Sequence, residues 1–535
     1  MNKSLISVLR DRKADILRML LACVFIGLVF IPLFKMFTYV NADSIRKVIK
    51  TPIFLEAVTN SLVSTAISTA ITLVLAYTLA MCVERTNIKY KSFFGILFVL
   101  PMLIPSISNG MGLILLFGNN GLVTNLLHLN GNIYGLSGIV VGSVLYAFPV
   151  AFLMLSDIMR YEDSSPYEAA KVLGMNKFRQ FTAITFPYLR KPLISVVFSV
   201  FTLIITDYGV PLMVGGKYTT IPVVMYQEVI GQLDFAKGAV YGCLLLIPAV
   251  AAFIIDLANK DKGNSTFVAK PITPENGWIR KLFSYILCVL TSLFVLLPII
   301  SFVLLAFTKK YPINLTITVD NIRKALQLNA DKYLLNSLIM SLLVAGVGTA
   351  ISFMTAYMTA RMHSKTSKFL HLSSITSAAI PGMVLGLSYV LTFKSSPLFG
   401  TLAILVMANI IHFIASPYLM VYNSLSKLNS NLEGVGHTLD ISRGKMIRDV
   451  FIPQCKNTLM EMFSYFFVNC MMTISAVSFL STTANKPVSL MINQFEAQMQ
   501  LECAAVISLA ILGVNLIVKG TFRLLNTNKR KKQTT

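Results

Sequence analysis

The feature that most constrains this chain is a series of apolar runs, each about 20 residues long, separated by short polar stretches rich in Lys and Arg. A run of that length crosses a hydrocarbon core as a helix that satisfies its own backbone, and no soluble core could hide so many. Twelve spans are expected. They fall near residues 16–38, 56–82, 92–118, 136–158, 193–215 and 237–257, then 282–308, 334–360, 369–393, 400–424, 457–480 and 502–520. The expected fold class is all-α and polytopic, embedded in a lipid bilayer. Hydrophobic residues at 55%, charged residues at 13% and a mean hydropathy of +0.71 agree with it.

A net charge of +23 could point to nucleic acid, but the Lys and Arg residues are spread over short loops instead of forming one basic face. Membrane topology accounts for them, and no nucleic-acid partner is expected. The seven cysteines are scattered with no CxxC pair, and the five histidines have no metal-ligand spacing, so no metal site is expected. Lys3, Arg10, Arg12 and Lys13 precede an apolar stretch from Met19 to Phe34 that lacks a small-residue cleavage site, which reads as an uncleaved first span.

The two halves of the sequence repeat. Asn60-Ser61-Leu62 returns as Asn336-Ser337-Leu338 and Ile104-Pro105 as Ile380-Pro381, both 276 residues later. Ala76-Tyr77 returns as Ala356-Tyr357 at a shift of 280, which reads as a slip inside the span, and Pro187 matches Pro453 at 266. With six spans per half, the copies share one orientation. Residues 1–258 form the first half and 282–535 the second, joined by a polar linker at 259–281 that holds two prolines and two glycines. Loops carrying Arg85, Lys89 and Lys91, then Lys171 to Lys191, Arg361 to Lys368, Arg443 to Lys456 and the tail from Lys529 to Lys532 are placed in the cytoplasm with both termini. The basic segments at Arg46 to Lys50 and Lys309 to Lys324 run against that rule.

One long polar, basic segment, residues 165–193, lies between two spans. Pro166 is placed to open a helix, Glu168 sits in its first turn and Gly174 can supply a left-handed stop. A second short helix is expected from about Asn176 to Ile184, ending at Pro187. On the residues alone this is either a solvated connection or a surface for a partner. In the second copy Gly434 stands where Glu168 does, Glu433 comes one residue early and Asp440 replaces Gly174, with Asp the next choice at a turn.

No phosphate-binding G-x-x-x-x-G-K-[ST] loop and no Ser/His/Asp nucleophile context occurs in the sequence, so no catalytic residue is assigned. The candidate translocation path centres on Asp207 and Tyr208, beside Gly209 and Pro211, where a broken helix could build a site. The other reading of Asp207 is a cap in headgroup territory. Asn109, among Gly110 and Gly112, either lines the path or packs helices through small residues. His412 reads as a packed, hydrogen-bonded group.

Glu168-Ala169-Ala170, followed by Gly174, Ile184 and Pro187, resembles the EAA loop of binding-protein-dependent ABC importer permeases. The resemblance covers about 60–257 and 336–517. It implies the type I importer permease fold, with two tandem six-helix halves in a bacterial cytoplasmic membrane. It also implies a short coupling helix in each half docking on an ATPase subunit, with Glu168 and Gly174 carrying most of the contact, and Glu433, Gly434 and Asp440 in the second copy. ATP would sit on two copies of that partner and not on this chain, and an extracytoplasmic binding protein would deliver the cargo. ITDYGVPLMVGG, MYQEVIGQLDFAKGAV and LLIPAVAAFIID (205–256) are similar to permeases for 2-aminoethylphosphonate, whose relatives include fused ferric-iron permeases. An ion-driven carrier, a channel or a scaffold are the readings from other classes. The carrier would show intramembrane acid pairs or Na⁺ sites.

Overall fold

The computed structural model describes residues 15–128, 133–259, 270, 272–274, 276–311, 313–362 and 364–533. Most of the linker, together with Lys3, Arg10, Arg12 and Lys13, lies outside the described residues.

The first copy runs through α1 (Asp15–Phe37), α2 (Ile53–Arg85), α3 (Lys91–Leu103), α4 (Ser106–Leu127) and α5 (Leu136–Arg160). A short helix α6 (Ser165–Val172) follows, then α7 (Lys177–Ile205), α8 (Gly209–Val214), α9 (Ile221–Gly231) and α10 (Phe235–Asn259). The second copy opens with α11 (Trp278–Ala306), a hairpin of β1 (Thr308–Lys310) and β2 (Asn314–Ile317), and α12 (Asp320–Gln327). It continues through α13 (Ala330–Ala360), α14 (Lys365–Ala379), α15 (Gly382–Phe393), α16 (Leu402–Phe413) and α17 (Ala415–Ser426). Then come α18 (Leu432–Thr438), α19 (residues 443–454), α20 (Lys456–Met472), α21 (Met491–Ala497) and α22 (Leu501–Leu525). Among the described residues nine helices are long and apolar enough to cross a membrane, or eleven if the bent pairs α14–α15 and α16–α17 each make one span.

Five expected spans take a different form, two of them, 369–393 and 400–424, as the bent pairs α14–α15 and α16–α17. The run at 92–118 breaks into α3 and α4, because Pro105 lacks an N–H and pushes Ile104 to an extended φ of −121°. The run at 193–215 leaves the helix after Ile205, and its helix starts earlier, at Lys177. The short helix expected to stop at Pro187 does not stop there. A wide turn at Phe181–Thr185 absorbs the missing donor and α7 continues. The run at 457–480 ends at Met472, with Thr473 extended.

The duplication is visible in three dimensions. The amide of Asn60 donates to the Thr219 carbonyl at 3.1 Å, and that of Asn336 to the Ala484 carbonyl at 3.1 Å. Ser61 Oγ accepts the backbone N–H of Ile221 at 2.8 Å, and Ser337 Oγ that of Val488 at 2.8 Å. The repeated Asn-Ser pair thus holds, in each half, the segment that re-enters the bundle after the long helix. Wide turns recur at Phe181–Thr185 and Ile447–Phe451, ahead of Pro187 and Pro453. No slip interrupts α2 or α13: both are unbroken, and Arg361 still stands 276 residues after Arg85.

The halves exchange their first helices. α1 packs on α15 of the second copy and α11 on α4 of the first. The Tyr389 hydroxyl donates to the Leu28 carbonyl at 2.8 Å, and the Asn515 amide to the Leu103 carbonyl at 2.9 Å. Residues of both halves therefore share one apolar core.

Candidate functional site

The polar segment forms the expected motif. Pro166 lies at the start of α6, Glu168 in its first turn, and Gly174 ends it with φ +66° and open space where a Cβ would stand. Ala170 is buried and Ala169 exposed, so α6 lies flat against the bundle. Val172 and Leu173, 88% and 71% exposed, are apolar tips at the end of the helix. Glu168 pairs with Lys270 of the linker at 2.9 Å and accepts from Ser164 at 3.0 Å. The Lys270 ammonium, with the Ser164 hydroxyl beside it, holds the Glu168 carboxyl below the usual glutamate range. Backbone bonds pin the linker at the same place. The Lys270 N–H donates to Asp163 at 3.0 Å and its carbonyl accepts from Ser164 at 2.8 Å.

In the second copy α18 ends on Asp440 at φ +51°, the left-handed position that Gly174 fills in the first. Gly434 has open space around it. Glu433 turns inward, where Arg361 Nε donates to it at 2.6 Å. The same guanidinium donates to the carbonyls of Leu428 at 2.8 Å and Asn429 at 2.7 Å and lies 5.4 Å from the centre of the Phe451 ring. Arg85 is its counterpart in the first copy, paired with the buried Glu162, which also accepts the Tyr167 hydroxyl. From spacing alone both arginines read as loop charges.

Where the halves meet, the Tyr208 and Ser478 hydroxyls lie 2.6 Å apart. The Tyr208 ring stacks on Tyr226 at 5.3 Å, and Tyr226 on Phe479 at 6.3 Å. The Asn493 amide reaches the Tyr226 hydroxyl at 3.5 Å. This row of phenols, a hydroxyl and an amide joins residues of both copies, and only Tyr208 of it was singled out from sequence. Asp207 is half-buried and caps α8. It accepts the Ser106 hydroxyl at 2.6 Å and the N–H groups of Val210 at 3.0 Å and Gly209 at 3.3 Å. Both oxygens are thus occupied by the fold.

Asn109 has a different place from the one expected of a lining residue. It is 1% exposed and donates to the Pro101 carbonyl at 3.4 Å. In an unbroken helix that carbonyl would take the N–H of residue 105, which is proline here. Asn109 therefore answers the break. His412 lies beside Gly382 and Ser475, the second-copy partners of Ser106 and Gly209.

A family model described as the binding-protein-dependent transport system inner membrane component matches residues 72–260 and again 348–531. A ferric transport system permease protein of Haemophilus influenzae is 26% identical over 460 residues, covering 82% of this chain and 72% of that protein. One of Actinobacillus pleuropneumoniae is 27% identical over 430 residues, 76% of this chain and 62% of its own length. A thiamine transport system permease protein of Brucella abortus is 27% identical over 222 residues, 40% of this chain and 41% of that protein.

Proposed function

Because this chain belongs to the binding-protein-dependent transport system inner membrane components, with two copies of that unit covering well over half of it, we propose that it carries ferric iron. On this reading it is the whole membrane path of an ATP-driven importer. The observation that carries the reading is the double family match, with a short exposed helix ending in a left-handed residue at the same point of each half. Two ATPase subunits would dock beneath α6 and α18, and their closure on ATP would move the helices around Tyr208, Tyr226 and Ser478. Hydrolysis takes place on those partners, and an extracytoplasmic binding protein supplies the cargo. Both termini and both short helices lie on the cytoplasmic side.

Two proteins that each match over three quarters or more of this chain are named for ferric transport. The 2-aminoethylphosphonate reading, drawn from residues 205–256, gives way to them.

Co-purification in mild detergent tests the assembly. A P-loop ATPase at about two copies per chain supports it, whereas a chain that comes down alone and moves solute without ATP refutes it. Titration of the accompanying binding protein with ferric iron and with 2-aminoethylphosphonate then decides the cargo.

A further inference from the structure

Glu433 stands 266 residues after Tyr167, the same interval that separates Pro453 from Pro187 and the two wide turns. It is therefore the counterpart of Tyr167 and not a displaced copy of Glu168. One residue along an α-helix is a rotation of about 100°. In both copies the side chain at 167 or 433 points into the protein, and the next position, 168 or 434, points away from it.

Each inward side chain leads, directly or through one acid, to an arginine at the end of a long helix. Glu433 binds Arg361 directly, and Tyr167 reaches Arg85 through Glu162. The side chains of Arg361 and Arg85 are 5% and 10% exposed. The wide turn joins in at matching positions as well. Thr185 lies 2.7 Å from the Tyr167 hydroxyl, and its counterpart Phe451 lies under the Arg361 guanidinium. Three parts thus meet in each half: the end of α2 or α13, the short helix, and the turn that leads into the next long helix.

We propose that these two arginines are the joints through which a displacement of α6 or α18 is passed into α2 and α13, which makes Arg85 and Arg361 positioning residues of the transport cycle. The proposal rests on the importer reading. A buried guanidinium whose acid moves must follow it or be left unpaired at high cost, so the end of α13 travels with Glu433 of α18, and the end of α2 with Glu162, to which the Tyr167 hydroxyl ties α6. The exposed pair of Glu168 and Lys270 exerts no such hold, because water and salt replace either partner cheaply.

The test uses the full chain with its ATPase in nanodiscs, with Cys23 and Cys243 changed to Ser. Spin labels are placed at Leu55→Cys and Leu335→Cys, exposed positions near the ends of α2 and α13 opposite the arginines. The distance between labels is measured without nucleotide and after trapping with ATP and vanadate, which needs no cargo. The unsubstituted joints should give a shift. Arg361→Ala should keep the ATPase in the purified complex and lose the shift, and Arg361→Lys, which keeps the charge and N–H donors for Glu433 and the carbonyls, should retain most of it. A wild-type shift in Arg361→Ala overturns the proposal, as does an Arg361→Lys chain that holds its ATPase without shifting. If Arg361→Ala fails to fold or releases the ATPase, Arg361→Lys alone decides by the same criterion. If the unsubstituted chain retains no ATPase, the importer reading fails first and takes this proposal with it.

Discussion

The hydroxyl of Tyr208 lies 2.6 Å from that of Ser478, a hydrogen bond between residues 270 apart that ties the first copy to the second at their meeting line. Tyr208→Phe removes this bond and leaves the ring against Tyr226. It should cost only about 1 kcal/mol of stability. Transport should fall by more than the small change in thermal midpoint explains, with the ATPase still bound. Unchanged uptake of ferric iron would take Tyr208 off the path.

Ser61→Ala and Ser337→Ala each leave a buried backbone N–H, of Ile221 and Val488, without its acceptor. Each should cost about 1–3 kcal/mol. The two sites belong to different halves, so the double variant should lose close to the sum in a denaturant or thermal unfolding series.

Asn109→Leu strips the Pro101 carbonyl of its donor and should destabilise the chain by about 1–3 kcal/mol. Cargo preference should stay as it is, read from competition between ferric iron and other solutes in vesicles. An altered preference would return Asn109 to the lining.

Glu168 has a folded pKa below its ordinary value of about 4.3, so its pairing with Lys270 is complete at neutral pH and is lost as pH falls through that depressed value. Lys270→Ala should move the Glu168 midpoint upward, followed by carboxyl ¹³C shifts of glutamate-labelled protein. High salt should act in the same direction.

Glu168→Ala and Gly174→Pro should both leave the protein inserted while releasing or uncoupling the ATPase. The proline cannot adopt the φ of +66° found at Gly174. Normal uptake by both variants would refute the docking role of α6.

Much of this architecture was legible from apolar run length, because a bilayer leaves the backbone few choices. Pro166, Gly174 and Asp440 sit where turn chemistry placed them. Hydropathy is blind to breaks inside an apolar run, which is why 92–118 read as one helix although Pro105 divides it. It is blind too to where a charged side chain points. Arg85 and Arg361 read as solvated loop charges, whereas the fold sets them at the ends of α2 and α13 and brings them onto Glu162 and Glu433. Asn109 and Asp207 drew notice as polar groups among apolar ones, and each turned out to satisfy backbone groups beside it. The rest of the tyrosine row was not legible, because Tyr226 lies between two expected spans and Ser478 lies in one that leaves the helix at Met472.

The wide turns at Phe181–Thr185 and Ile447–Phe451 separate what the two halves share from what they do not. They recur at one offset, with the caps Asn176 and Ser442 before them and Pro187 and Pro453 after. The fastenings do not recur: a phenol turns inward at Tyr167 and an acid at Glu433, and Lys270 of the linker pairs with Glu168 where the second copy has Gly434. The two halves therefore share a frame but not a linkage, and loss of Arg85 and loss of Arg361 are not equivalent injuries.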